Sequence, residues 1–218
     1  MAGHRPNLVR FGLCLAGLLA GCQSNPPASR VEQFERSFQA GCGELSVGNA
    51  AAAKKHFDKA AALRNDHALV HYYLGVCHAM LHEDRQALVG LGRAIRLDPS
   101  LAPAYYNIGT IHLRHRRYRQ AAEVLEKSVE LDSDSVCALN NLAKAYYMLT
   151  LPEMAVEAYE RALAVDPDSR IALLALCRLA LAGGNTAKAC SYLKRLEVLS
   201  GESPEVLALK RRIGRESR

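Results

Sequence analysis

The sequence lacks tryptophan altogether and has only four phenylalanines among its 218 residues. Alanine and leucine instead supply much of its hydrophobic fraction of 50%. Small and unbranched side chains of this kind favour helices that pack closely against one another. No uninterrupted run of about 18 apolar residues follows the first 22 residues, so we expect no later helix that crosses a membrane.

The N-terminus combines two arginines with a short apolar stretch. Arg5 and Arg10 lie in a segment without acidic residues, and residues 11–20 are largely apolar. This stretch is too short to span a bilayer, which takes about 20 residues, but it suits a secretory signal. The sequence Leu-Ala-Gly-Cys at 19–22 resembles the bacterial lipobox, which implies acylation of Cys22. An ordinary cleaved signal with an incidental cysteine is the alternative interpretation.

The residues around Cys22 indicate how such a protein is attached to a membrane. The lipobox implies several acyl chains, which anchor a protein stably where a single chain does not. By resemblance to enterobacterial sorting rules, Gln23 and Ser24 with no aspartate beside the cysteine imply the outer membrane and a domain that faces the periplasm. Residues 1–21 are then a removed signal peptide. The polar, Pro- and Ser-rich residues that follow predict a flexible tether over residues 22–33.

The chain also lacks the motifs of common catalytic sites. We find no nucleophile elbow, phosphate-binding loop or paired-carboxylate site, and Gly41 and Gly43 lie inside a predicted helix instead of after a strand. We therefore predict a protein that is not an enzyme and has no cofactor. Removal of the signal peptide takes away Arg5 and Arg10, so the 28 basic residues become 26 against 22 acidic ones, a mild net charge of +4. This charge suits anionic surfaces or acidic partners, whereas nucleic acid is not an expected ligand outside the cytoplasm.

Beyond the tether, the sequence repeats every 34 residues. The five blocks cover residues 34–67, 68–101, 102–135, 136–169 and 170–203. Position 8 of the blocks is always small, held by Gly41, Gly75, Gly109, Ala143 and Cys177. Position 20 is always alanine, at Ala53, Ala87, Ala121, Ala155 and Ala189.

This pattern resembles the tetratricopeptide repeat (TPR) family over residues 34–203. The resemblance implies an all-α fold, a right-handed solenoid of helix-turn-helix repeats. Residues 204–218 are predicted to add a capping helix and a basic tail, because apolar and charged residues there alternate with a helical period.

In TPR proteins the first helices of successive repeats line a concave groove, which the resemblance implies for a protein or peptide partner here. Asparagines can bind an extended backbone, tyrosines give stiff contact area, and cations favour an acidic segment or a C-terminal carboxylate. The candidate groove residues are Tyr72, Tyr73, Tyr106, Asn107, Thr110, Arg114, Asn140, Asn141, Lys144, Tyr147 and Arg178. Helical faces that are merely solvated are the alternative interpretation, and one of Tyr72 and Tyr73 is expected to pack.

Three further clusters have open interpretations. The basic run from Arg114 to Arg119 is either a solvated turn or a docking patch for lipid headgroups or an acidic partner. Histidines such as His78 and His82 suggest a metal site as an alternative, but packing histidines are expected and no metal site is predicted. Cys177 and Cys190, at positions 8 and 21 of facing helices, allow a disulfide in an oxidising periplasm.

Lipobox, tether and consecutive repeats together resemble the type IV pilus pilotin family, which escorts the secretin pore. The stretches 139–143 and 193–196 are compatible with that family. The resemblance implies a non-enzymatic scaffold that assists assembly or localisation of an envelope complex. Two alternatives stay open: an adaptor for peptidoglycan hydrolases or envelope proteases, and a metal- or redox-responsive sensor that uses the histidines and cysteines.

Overall fold

The computed structural model of the protein describes residues 29–201 and 203–216. This part of the chain forms eleven helices and no strand, which confirms the predicted all-α fold. Cys22 and residues 23–28 of the predicted tether lie outside the described residues. The helices are α1 Arg30–Ser46, α2 Ala50–Leu63, α3 Ala68–Met80, α4 Asp84–Leu97, α5 Ala102–Arg114, α6 Tyr118–Leu131, α7 Val136–Met148, α8 Pro152–Val165, α9 Arg170–Ala182, α10 Thr186–Ser200 and α11 Pro204–Glu216.

Helix α1 begins earlier than the repeat pattern predicts. Ser29 and Glu32 form a capping box, in which the Ser29 hydroxyl accepts from the Glu32 backbone N–H at 3.2 Å and the Glu32 carboxylate accepts from the Ser29 N–H at 2.9 Å. This pair satisfies two N–H groups at the helix start. Residues 30–33, predicted as the end of the tether, are therefore the first turn of α1. None of the described helices is both long and apolar enough to cross a membrane.

Consecutive helices pair as hairpins: α1 with α2, α3 with α4, and so on to α9 with α10. The first helix of each later hairpin begins at residue 68, 102, 136 or 170, where the sequence blocks begin. Close approach explains the small residue at position 8. A Cβ atom on Gly109 would lie 2.5 Å from Leu125 Cγ, and one on Gly75 would lie 2.6 Å from Leu91 Cγ.

The hairpins stack so that first helices contact first helices, α3 with α5 and α5 with α7. Each hairpin reverses direction, so the turns collect at two opposite edges. We call the turns within hairpins the intra-repeat edge; they are residues 47–49, 81–83, 115–117, 149–151 and 183–185. We call the turns between hairpins the inter-repeat edge; they are residues 64–67, 98–101, 132–135 and 166–169.

The buried apolar residues fall into several clusters along the solenoid. A single large cluster runs from α6 to α11. A small one joins α4 to α5 through Ala87, Leu91, Ala104 and Ile111. Two more, rich in aromatic residues, join α1 and α2 to α3. Helix α11 closes the C-terminal end by burying Val206, Leu209 and Ile213.

Candidate functional site

The candidate groove residues lie on α3, α5, α7 and α9, but their surroundings differ along the solenoid. On α3, Tyr73 stacks on Phe57 of the preceding repeat, with ring centroids 5.1 Å apart and an angle of 8° between the rings. Tyr72 meets Tyr73 edge-on at 5.0 Å. Burial raises the pKa of both phenols. Tyr73 therefore packs between repeats, and only Tyr72 reaches towards the next first helix.

The two asparagines at position 6 connect neighbouring repeats. Asn107 Nδ2 donates to Pro103 O at 2.8 Å and to Tyr72 Oη at 3.5 Å. Asn141 Nδ2 donates to Thr110 Oγ1 at 3.1 Å, and Thr110 in turn donates to Tyr106 O at 3.0 Å. Their amino groups thus hold the first-helix layer together, a role that the sequence did not indicate.

Asn140 does not face the groove as predicted. Its side chain is buried, and Nδ2 donates to Ser169 Oγ at 3.4 Å. Asn140 Oδ1 has no hydrogen-bond partner among the described residues. The turn before α9 covers this position, so Asn140 belongs to the contact between repeats four and five.

Arg114 is also placed differently from the prediction. Its guanidinium forms an ion pair with Asp84 at the start of α4, and its Nη1 lies 3.4 Å from His82 Nδ1. His115 Nε2 lies 2.6 Å from the other Asp84 oxygen. Arg114 therefore joins the second repeat to the third, and its guanidinium is already paired with Asp84. Arg114 and His115, the first two residues of the basic run, thus both contact Asp84 of the second repeat.

Lys144, Tyr147 and Arg178 come together at one pocket of about 320 Å³ between α7 and α9. The side chains of Ile171 and Tyr147 are 64% and 54% exposed there. Lys144 and Arg178 form no ion pair within the described part of the chain. The pocket therefore combines apolar contact area with two unpaired cations. Its remaining lining residues are Tyr159, Leu174, Ala175 and Leu179.

A second pocket of about 380 Å³ continues from the first towards α11. The two share Ile171 and Leu174, and Val206 and Ser203 line the far end. The Ser200 hydroxyl in this second pocket is buried and has no hydrogen-bond partner among the residues that the structure describes. We call the two pockets together the C-terminal groove. The sequence did not single out Ile171 or Leu174, because an apolar residue on a repeat helix is normally a packing residue.

Tyr159 forms one wall of the first pocket. Burial raises its pKa to about 12, so the phenol is neutral at physiological pH and its O–H can donate a hydrogen bond. Together, Tyr159, Lys144 and Arg178 give this part of the groove donors but no carboxylate among its lining residues. Such a site favours ligands that carry acceptors or negative charge beside apolar groups.

In the described part of the chain, the cysteines and histidines form no comparable site. Cys177 and Cys190 are both free thiols, and Cys177 Sγ donates to Ala189 O at 3.4 Å. The disulfide between them stays a prediction. Within residues 29–201 and 203–216, no group of three or more His, Cys, Asp or Glu side chains is arranged to hold a metal ion.

The chain matches family models described as tetratricopeptide repeat over residues 38–102, 102–135 and 151–213. Comparison with curated protein sequences finds no match.

Many solved structures are similar. PilF of Pseudomonas aeruginosa is 23% identical, with 86% of each chain covered and a TM-score of 0.77. PilW, described as a widely conserved type IV pilus biogenesis factor, is 17% identical, with 87% of each chain covered and a TM-score of 0.71.

YrrB, described as a TPR protein with an unusual peptide-binding site, is 17% identical. The match covers 84% of this chain and 98% of YrrB, with a TM-score of 0.69. At these identities the structural likeness concerns the fold. The family models, the 34-residue hairpins and the fold agree, and the chain belongs to the tetratricopeptide repeat family.

Proposed function

We propose that this chain is a non-enzymatic scaffold that binds a protein partner in the C-terminal groove. The observation that carries the proposal is the convergence of exposed Ile171 and Tyr147 with unpaired Lys144 and Arg178 at one pocket. An exposed β-branched side chain beside an exposed aromatic ring is costly to leave in water and becomes favourable when a partner covers it.

The cellular setting of the proposal comes from the sequence and from the structural relatives. The lipobox at 19–22 supports a lipid anchor on Cys22 and an outer-membrane protein that faces the periplasm. Likeness in fold to PilF and to PilW, a type IV pilus biogenesis factor, supports a role in assembling an envelope complex of the pilus and secretin kind. The partner in this proposal is a component of that complex.

Site-specific photo-crosslinking tests the groove. A benzophenone amino acid at Ile171 is expected to capture the partner in living cells, because this side chain lies at the centre of the groove. The same probe at Val89 on α4, which is 71% exposed, is the matched control and should capture nothing specific. Adding Lys144→Ala and Arg178→Ala should weaken the Ile171 crosslink while circular dichroism stays unchanged. Equal crosslinking at Ile171 and Val89 would refute the groove.

Two cellular measurements test the setting. Cys22→Ser should release the protein from membranes, and unchanged membrane association would refute lipidation. Deletion of the gene should reduce secretin multimers and surface pili, and the wild-type chain should restore both. Normal surface pili and secretin multimers in the deletion strain would refute the pilus role. The general scaffold role would then stand without it.

A further inference from the structure

The intra-repeat edge exposes several large apolar side chains. Met80 and Leu81 in the second repeat, and Met148, Leu151 and Met154 in the fourth, are between 36% and 47% exposed. The turn of the first repeat adds Val47, which is 77% exposed. These side chains lie at or beside the turns of the first, second and fourth repeats, so they form a row along one rim of the solenoid.

Arginines occupy the centre of this row. Arg116, Arg117 and Arg119 at the turn of the third repeat are exposed, and none has an ion-pair partner among the described residues. They lie between the apolar turns of the second and fourth repeats. They differ from Arg114, which Asp84 holds.

Of the acidic residues at this edge, Glu83 and Asp84 already have side-chain partners. His78 Nδ1 lies 2.5 Å from Glu83 Oε2, and Asp84 is shared by Arg114 and His115. Glu153, at the start of α8, is exposed and has no such partner in the described chain. The unpaired charge at the edge is therefore predominantly positive.

The inter-repeat edge also exposes apolar side chains, such as Leu97 and Val165, but its turns are rich in acidic residues. Its turns carry six aspartates, and several of them accept backbone hydrogen bonds, as Asp98 does from Ser100 N at 3.0 Å. The helices between the two edges have 13 or 14 residues in the middle repeats, which separates the edges by about 20 Å. Arginines also lie at this edge: Arg64 is 4.0 Å from Asp66, and Arg93 and Arg195 donate to the backbone oxygens of Asn65 and Pro167. The aspartates are Asp66, Asp98, Asp132, Asp134, Asp166 and Asp168.

The backbone adds an independent observation. One residue of each intra-repeat turn has a left-handed conformation, and these residues are 34 apart: Gly48, His82, Arg116, Thr150 and Gly184. Glycine adopts this conformation freely, whereas other residues pay about 1–2 kcal/mol. The second, third and fourth repeats have a side chain at this position, where the first and fifth have glycine. These three turns therefore keep the left-handed conformation without the residue that adopts it most freely.

We propose that the intra-repeat edge of repeats two to four docks on an anionic phospholipid surface. Methionine and leucine side chains on a row of turn tips can enter the boundary between headgroups and acyl chains. The three arginines can bind lipid phosphates as bidentate donors, and each cation near an anionic surface contributes about 1 kcal/mol. The six aspartates face away from the membrane in this orientation, where they are not repelled.

The predicted anchor permits this orientation. Helix α1 starts at the inter-repeat edge and has 17 residues, which make it about 26 Å long. The eight residues from Cys22 to α1 can span at most about 28 Å when extended. A lipid on Cys22 can therefore lie in the same membrane that the intra-repeat edge contacts. The proposed edge itself does not depend on lipidation.

A single introduced tryptophan tests the orientation, because the chain has none of its own. Met154 and Val165 lie at opposite ends of α8 and are both 42% exposed, so Met154→Trp and Val165→Trp are matched probes. The full chain carrying either one is reconstituted with vesicles of phosphatidylcholine, alone or mixed with phosphatidylglycerol. All vesicles contain lipids brominated on the acyl chains as quenchers.

We expect blue-shifted emission and strong quenching for Met154→Trp with phosphatidylglycerol, weaker quenching with phosphatidylcholine alone, and little for Val165→Trp. Changing Arg116, Arg117 and Arg119 to serine should abolish the difference between lipids while circular dichroism stays the same, and high salt should reduce it. Equal quenching of the two probes, absence of quenching with phosphatidylglycerol, or indifference to the arginine changes would each overturn the proposal. Specific crosslinking of this edge to a protein without lipid quenching would overturn it as well.

Discussion

Thr150 occupies a turn position that is glycine in the first and fifth repeats, at Gly48 and Gly184. Its φ angle is 60°, in the left-handed region, and a β-branched side chain is poorly suited to that conformation. We expect Thr150→Gly to stabilise the protein by about 1 kcal/mol, because the relief of about 1–2 kcal/mol exceeds the entropic cost of glycine of about 0.5–1 kcal/mol. Thermal unfolding should then shift upwards by about 2–4 °C.

A matched substitution checks the reason for that gain. Thr186 is the first residue of α10 and has an ordinary helical backbone, so Thr186→Gly should lower the melting temperature. If both substitutions lower the melting temperature, the Thr150 backbone is not strained in solution.

The 34-residue pattern predicts only those properties of a residue that its own helix determines. It identifies which side of a helix a residue occupies, and Lys144, Tyr147 and Arg178 do line one pocket. It does not reveal what the next repeat presents to that side. Ser169 covers Asn140 and Asp84 holds Arg114, because these partners are about 30 residues distant and have no fixed place in the repeat pattern.

At the scale of helices, the junction between the first two repeats is built from aromatic rings. His67, at the start of α3, packs against Phe34 at 5.1 Å and Phe38 at 5.7 Å between ring centroids. Its Nδ1 is buried and has no hydrogen-bond partner among the described residues. Burial, followed by the nearby Arg64, lowers the pKa of His67. The neutral form of this histidine is therefore the one that fits the junction.

We expect acid to weaken this junction. As the pH falls through about 6.5, the ordinary histidine value, His67 in the unfolded chain takes up a proton that the folded chain resists. The stabilisation is therefore complete at neutral pH and is lost as the pH falls below that value. His67→Phe should keep the ring contacts and reduce the slope of unfolding free energy against pH between about pH 7 and pH 5.

Burial also lowers the pKa of His112 on α5. The double variant with His112→Phe should therefore show a smaller slope than His67→Phe alone. A slope that is the same in the wild type and in His67→Phe would exclude His67 as a source of the pH dependence. Denaturant titration at each pH supplies the free energies.

The sequence predicts the helix positions well, because close packing within a hairpin restricts which residues can lie where the two helices meet. The small residue at position 8 must meet a bulky residue of the facing second helix, as Gly109 meets Leu125. The sequence therefore shows where each hairpin begins. Helix α1 begins four residues before the first block of the repeat. The Ser29–Glu32 capping box that starts it is visible in the sequence as Ser-Arg-Val-Glu, but it lies outside the repeat and gives no repeat signal.

At the scale of the whole molecule, the buried residues are distributed unevenly along the solenoid. From α6 to α11 the core is one continuous cluster, whereas α4 and α5 share a small cluster of four buried residues. The C-terminal groove lies on the continuous part of the core, which holds its lining residues in place. The sequence could not reveal this difference, because every block carries similar apolar residues and their connection depends on stacking between repeats.

Repeat arrays unfold locally where the interface between neighbours is weakest. We therefore expect backbone amides of α1 to α4 to exchange with solvent faster than those of α7 to α9 in native-state hydrogen exchange. Ile111→Ala removes a buried side chain from the small cluster at a cost of about 2–5 kcal/mol, and it should accelerate exchange in α1 to α4 and spare α7 to α9. Leu173→Ala, within the continuous cluster, should instead accelerate exchange throughout the C-terminal repeats. Equal acceleration of all helices by both substitutions would mean that the solenoid unfolds as one cooperative unit, and the weak link between α4 and α5 would then have no influence on its dynamics.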